Sequence, residues 1–415
     1  MILPIPLLIN FLIGLLSIAL LIIGSALLYR AWQRYKTLQR TIRLKRMAPA
    51  YSQARSIPVK DEDIEVESSA RPAEILSDRT VMAPLTIGLA LLLFTFSGRA
   101  VVHMAVPSGN DEPRELKSGP VHALQRPDGT KIRAEVFGRL DAPTLVFTHG
   151  WGTSQTEWYY AKRDLAGQFR LIFWDLPGLG KSTQPENRDF ALKKMASDLE
   201  SVLTLANGKP VVLVGHSIGG MINLTFCRLF PERLGRDVKG IVQVDTSYTN
   251  PVTTTKNAGL SRALQKPVAE PMLHAMVWFS PLVRAMNWLS YQNGTSHMMN
   301  AQSAFAGSET WGQLDLVSRY GYESTPSVVA RGTLAMFHWD AKPVLPRIHV
   351  PVLILVGEQD TTTLPSASEY MQHTIPNARL EKVSPSAHYG LLEQNGRYDS
   401  AIARFASTCL NVIRL

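Results

Sequence analysis

A serine, an aspartate and a histidine occur along the chain in an order that suits acyl chemistry. Ser217 lies in "VVLVGHSIGG", where an apolar run meets glycines on both sides of one hydroxyl. Asp360 ends "PVLILVGEQD", and His388 sits in "ARLEKVSPSAHYG". A serine hydroxyl is a weak nucleophile until a base takes its proton, and the base needs an acid to hold its tautomer. A strand running into G-x-S-x-G and then a helix holds the serine in a strained turn, and the neighbouring glycines give that turn room. The amide of Ile218, at the start of that helix, then points where negative charge develops on a substrate carbonyl oxygen. A second amide is expected from the loop "HGWGTS" (149–154), with Trp151 as the donor.

Other candidates are weaker. Asp245, at the end of "GIVQVD", is a competing acid at a neighbouring strand end, and Glu358 lies too far back along its strand. His216 adjoins Ser217 but points away from it and reads as structural. His274, His297 and His338 fall in a helical region where capping or core roles suffice. "DLPGLGKST" (175–183) resembles a phosphate loop, but the first glycine of that pattern is replaced by Asp175, so no nucleotide site is read. No H-E-x-x-H or paired Cys-x-x-Cys occurs, and no metal is implied. Cys227 and Cys409 sit in helix-like segments; an extracytoplasmic domain permits a disulfide between them, and buried free thiols are the favoured reading.

Strands must carry these residues to one edge. The runs "TLVFTHG" (144–150), "RLIFWDLPG" (170–178), "PVVLVGH" (210–216), "GIVQVDTS" (240–247) and "VPVLILVGEQD" (350–360) are continuously apolar, as strands covered on both faces are. A hairpin around Pro-Asp-Gly precedes them in "VHALQRPDGTKIRAEVFG", and helical patterns such as "ALKKMASDLESVLTLANG" separate them. The alternation predicts an α/β class with a doubly wound, mostly parallel sheet. Residues 248–345 hold only amphipathic runs, and about a hundred residues are too many for a loop, so a helical insertion is expected there.

The N-terminal region has a different composition. Residues 1–29 and 80–98 carry no charge and match the thickness of a bilayer. The positive charges follow the first run rather than precede it, which argues against a signal peptide. "RAWQRYKTLQRTIRLKRM" between the two runs is basic without an acid, so the positive-inside rule places it in the cytoplasm. The expected organisation is a first transmembrane helix (1–29), a basic cytoplasmic loop (30–79), a second transmembrane helix (80–105) and a linker (106–120). The catalytic domain then lies on the extracytoplasmic side of a multi-pass anchor. Topology accounts for much of the net charge of +9, and nucleic-acid binding is excluded as its meaning.

The motifs "HGWG", "DLPGLGKS", "GHSIGG", "VGEQD" and "SAHYG", in that order, resemble the α/β-hydrolase superfamily over roughly residues 120–412. The resemblance implies an eight-stranded, mostly parallel sheet and a helical cap (248–345) between two core segments (121–247 and 346–415), with no cofactor. It also implies Ser217 as nucleophile, His388 as base, Asp360 as orienting acid, and Trp151 and Ile218 as oxyanion amides. Epoxide hydrolases and haloalkane dehalogenases of that superfamily use an aspartate nucleophile, and Ser217 argues against both. The expected reaction is hydrolysis of a carboxylic ester through an acyl-enzyme. "PMLHAMVWFSPLVRAMNWLSY" in the cap suggests a hydrophobic acyl or alcohol group, a small-molecule ester or lipid-like substrate, although the same residues suit plain helix packing. Thioesterases, amidases, lactonases and perhydrolases use the same triad. A non-catalytic membrane binding module is the reading from another class.

Overall fold

Short runs bounded by turn residues, apolar throughout at the centre and mixed at the edges, form the strands of a single sheet in the computed structural model, which describes residues 4–54, 75–114, 116 and 118–411. The strands are β1 (Val121–Gln125), β2 (Lys131–Gly138), β3 (Thr144–Thr148), β4 (Arg170–Trp174), β5 (Val211–His216), β6 (Val238–Val244), β7 (Val352–Gly357) and β8 (Ala378–Val383). They lie in the order β1-β2-β4-β3-β5-β6-β7-β8. β2 runs antiparallel to β1 and β4, and all other pairings are parallel. The order reverses around β3, and a crevice opens beyond the carboxyl ends of strands at such a switch point.

Both faces of the sheet are covered, which explains the unbroken apolar runs. Side chains alternate with the period of two expected of strands. Val146, Ile172, Leu213 and Ile354 pack on one face with α4 (Leu192–Val202) and α5 (Ile218–Leu229). Phe147, Phe173, Val214 and Leu355 pack on the other with α3 (Tyr159–Leu165) and α14 (Asn395–Cys409). Two further helices, α12 (Pro365–Thr374) and α13 (Gly390–Glu393), follow β7 and β8.

Between β6 and β7 the chain forms α6 (Ala258–Leu264), α7 (Glu270–Trp278), α8 (Ser280–Gln292), α9 (Thr295–Ala304), α10 (Trp311–Glu323) and α11 (Pro326–Phe337). Val328, Val329 and Met336 of α11 join the core on the α4–α5 side.

The basic segment expected as a loop from residue 30 is helical as far as residue 54. α1 (Pro4–Ala54) continues through it without a break. Residues 30–46 contain no Gly or Pro and are rich in Arg, Lys, Gln and Leu, all good helix formers. The remainder of that expected loop lies largely outside the described residues. α2 (Arg79–Ala105) packs antiparallel to α1: Gly24 faces Gly88, and Tyr35, Leu38 and Ile42 pack against Ile75 and Val81. A Cβ on Gly88 would sit 2.9 Å from the Gly24 carbonyl oxygen, the close approach small residues permit between apolar helices. Both helices are long and apolar enough to cross a membrane. Part of the expected linker is pinned to the domain: Tyr160 donates to the Asp111 carbonyl at 2.9 Å and Thr310 to Glu112 at 2.6 Å.

Candidate active site

The glycines around Ser217 answer to close packing. A Cβ on Gly215 would run into the backbone of Gly219, and one on Gly219 would run into the Thr148 carbonyl. Ser217 itself has φ 52° and ψ −117°, a conformation that costs free energy for any residue with a side chain. Its neighbours hold it there. The Ser217 amide donates to the Val244 carbonyl at 2.9 Å, and its carbonyl accepts from the Thr246 hydroxyl at 2.5 Å.

The structure brings the three sequence-derived residues into one chain of contacts. His388 Nε2 is 3.2 Å from Ser217 Oγ, and His388 Nδ1 is 2.9 Å from Asp360 Oδ2. Asp360 also accepts from the amides of Thr362 and Thr363 at 2.7 and 3.0 Å, and from the Thr363 hydroxyl at 2.7 Å. Asp360 and His388 are buried, while Ser217 is half-buried. Burial pushes the Asp360 carboxyl upward. The charge and hydrogen bond of His388, together with the Thr363 donors, outweigh it and hold Asp360 below the ordinary carboxylate range.

The competing acid sits one strand away with other partners. Asp245 is fully buried and accepts from the Gly357 amide at 2.8 Å and the Tyr398 hydroxyl at 3.0 Å. Burial, and then the charge of Asp360, push it well above the ordinary range. Of the two acids, the anion beside His388 is therefore Asp360.

The amides of Trp151 and Ile218 make no hydrogen bond among the described residues. The loop that carries Trp151 is held from both sides. Gly150 donates to Glu157 at 2.8 Å, the Trp151 indole donates to the Val329 carbonyl at 2.9 Å, and the Ser324 hydroxyl donates to the Gly152 carbonyl at 2.7 Å. Ile218 opens α5, where first-turn amides lack helical partners.

Two residues missed at the level of sequence complete the site. Glu157 is fully buried and accepts from Gly150, from the Thr153 hydroxyl at 2.7 Å and from His216 Nδ1 at 3.0 Å. His216 Nε2 in turn donates to the His388 carbonyl at 3.0 Å. Both ring nitrogens of His216 face acceptors, the pattern of an imidazolium. Burial alone would lower His216, but the Glu157 carboxylate raises it above the ordinary histidine value, and Glu157 is lowered in return. This buried ion pair links the Trp151 loop to the backbone of His388. Nothing in the "TEW" around Glu157 announces that role. Thr363 is the second residue, and its only signal is the threonine run after Asp360.

The remaining motif residues organise loops. Asp175 accepts from the amides of Gln155 and Lys181 at 2.9 and 3.0 Å, so "DLPGLGKS" folds around its own carboxylate. His149 Nε2 accepts from the Leu176 amide at 2.9 Å. In the cap, His297 is buried against Asp315 at 3.0 Å, while His274 and His338 are exposed. Among the described residues, no group of three or more His, Cys, Asp or Glu side chains is arranged to hold a metal ion. Cys227 and Cys409 are free thiols.

A family model described as alpha/beta hydrolase fold matches residues 143–394. The magnesium-chelatase 30 kDa subunit of Rhodobacter capsulatus is 27% identical over 252 residues, spanning 59% of this chain and 81% of that protein. An esterase from Rhodococcus sp. ECU1013 superposes with a TM-score of 0.57 at 21% identity, over 71% of this chain and 100% of its own. A bacterial membrane phospholipase A superposes with a TM-score of 0.57 at 18% identity, over 80% of this chain and 98% of its own. At such identities the two structures speak to the fold alone.

Proposed function

This chain belongs to the α/β-hydrolase fold family, and from that premise we propose that it is a membrane-anchored serine hydrolase that cleaves carboxylic esters through an acyl-enzyme. The observation that carries the reading is the unbroken contact chain Ser217–His388–Asp360. Ser217 Oγ attacks the ester carbonyl carbon while His388 Nε2 takes its proton. Asp360 stabilises the imidazolium formed, and the free amides of Trp151 and Ile218 receive the oxyanion. When the C–O bond breaks, His388 returns the proton to the departing alcohol. Water then attacks the acyl-serine with His388 again as base, releasing the acid and restoring Ser217.

The two apolar helices serve as the membrane anchor in this reading. The basic segment from Arg30 to Arg46 faces the cytoplasm, so the hydrolase domain lies on the other side. The Met-, Trp- and Leu-rich cap favours a hydrophobic acyl or alcohol group.

The direct test is hydrolysis of p-nitrophenyl esters, from acetyl to palmitoyl, by the full chain and its Ser217→Ala variant in detergent. Turnover is expected to fall by as much as ~10⁶. A variant that keeps its activity would place the nucleophile elsewhere.

A further inference from the structure

The cap docks on the apolar helices within their uncharged stretches. Met286 of α8 lies over Gly14 of α1, where no side chain fits. Ser290 Oγ is 3.2 Å from Ser17 Oγ, and Asn293 Nδ2 donates to the same Ser17 hydroxyl at 2.8 Å. On α2, a Cβ at Gly98 would sit 2.6 Å from the Asn293 carbonyl oxygen, and the Phe96 ring lies 6.2 Å from that of Trp288. The first charge beyond this stretch of α2 is Arg99, which turns to the cap and meets the Tyr291 hydroxyl and Asp315. A charged side chain is costly among acyl chains, so Arg99 marks the depth of the headgroups. Cap residues from Met286 to Asn293 touch the hairpin on the apolar side of that mark.

The same two cap helices leave large apolar side chains uncovered. Trp278 is 83% exposed, Phe279 61%, Leu282 51% and Trp288 39%. Four large exposed apolar side chains within eleven residues are unusual for a segment that faces water. Trp288 lies beside Phe96, so this apolar stretch of the cap adjoins the outer surface of the hairpin. Aromatic side chains at headgroup depth are the usual signature of a bilayer interface.

We infer that the α7–α8 face of the cap inserts into the leaflet on the hydrolase side, and that the ester cleaved at Ser217 is a lipid drawn from that leaflet. The inference rests on the membrane reading of α1 and α2, and it names the substrate class of the proposed esterase. Other parts of the same cap, Val329 of α11 and Ser324 after α10, brace the loop carrying Trp151.

The full chain in phosphatidylcholine vesicles, with acyl chains brominated near the headgroup, gives the first readout. Tryptophan emission of the wild type should be quenched more than that of the Trp278→Phe/Trp288→Phe double variant, and equal quenching would overturn the insertion. This readout needs no catalysis, so it stands apart from the identity of the nucleophile. The second readout compares a long-chain ester carried in the vesicles with p-nitrophenyl acetate in water. Phe279→Ser/Leu282→Ser should raise the apparent KM for the vesicle-borne ester roughly tenfold or more. Hydrolysis of the acetate should stay unchanged within about twofold, since those side chains are exposed and outside the core. Equal losses on both substrates, or a wild type inactive on the vesicle-borne ester alone, would overturn the lipid assignment.

Discussion

At the scale of single residues, two buried carboxylates near the site have opposite electrostatic fates. Asp360 is ionised by four donors, whereas Asp245 is pushed toward neutrality by burial and by the neighbouring charge. Asp360→Asn should lower kcat by about 10⁴, because the wrong imidazole tautomer then faces Ser217. Asp245→Asn should change kcat far less, and steady-state kinetics of the two variants would exchange the roles if the losses were reversed. Glu157 and His216 form the second electrostatic unit. Breaking a buried pair leaves an uncompensated charge, so Glu157→Gln should cost about 3–5 kcal/mol in denaturant unfolding. Glu157 is lowered from 4.5, so its stabilisation is present above that value and is lost as pH falls through the folded value. His216 is raised from 6.5, so its stabilisation is full below that value and is lost as pH rises through the folded value. Stability measured against pH should therefore flatten at both edges in Glu157→Gln, and an unchanged profile would remove the pair from that role.

At the scale of elements, the site depends on backbones that approach closely. Gly332 of α11 lies against the Trp151 ring, with a Cβ there 2.6 Å from its Cη2 atom. Gly332→Val should displace the Trp151 loop and, with Trp151 as the proposed oxyanion donor, lower kcat by about 10²–10³, the usual loss of one donor, with a smaller change in KM. Equal kcat in variant and wild type would show that Trp151 tolerates the shift. The strand ends, the elbow and its glycines were legible in the chain because turn chemistry and strand period are local properties. Glu157 was not, since its meaning depends on Gly150, His216 and the carbonyl of His388, which only the folded sheet brings around it.

At the scale of the whole molecule, α1 is a structural partner of the cap as well as an apolar span. Leu7 is buried with Leu273, Ala330 and Phe337, and Ser17 bonds to Ser290 and Asn293. Removing residues 1–105 should uncover that face. The remaining fragment is expected to unfold at lower denaturant concentration than the full chain and to self-associate without detergent. A monomeric fragment as stable as the full chain, by sedimentation and denaturant unfolding, would make the contact incidental.

The α/β sheet, the order Ser–Asp–His, the helical insertion between β6 and β7 and the two apolar stretches were all readable along the chain. Each of these is carried by hydrophobic period, turn residues or uncharged length within a short window. Only the folded chain shows which acid faces His388, how the Trp151 loop is tied to His388 through Glu157 and His216, and that the cap lies against the apolar hairpin. Those outcomes depend on burial and contact between segments far apart in the chain, and it is burial that sets the cost of each charge and the value of each hydrogen bond.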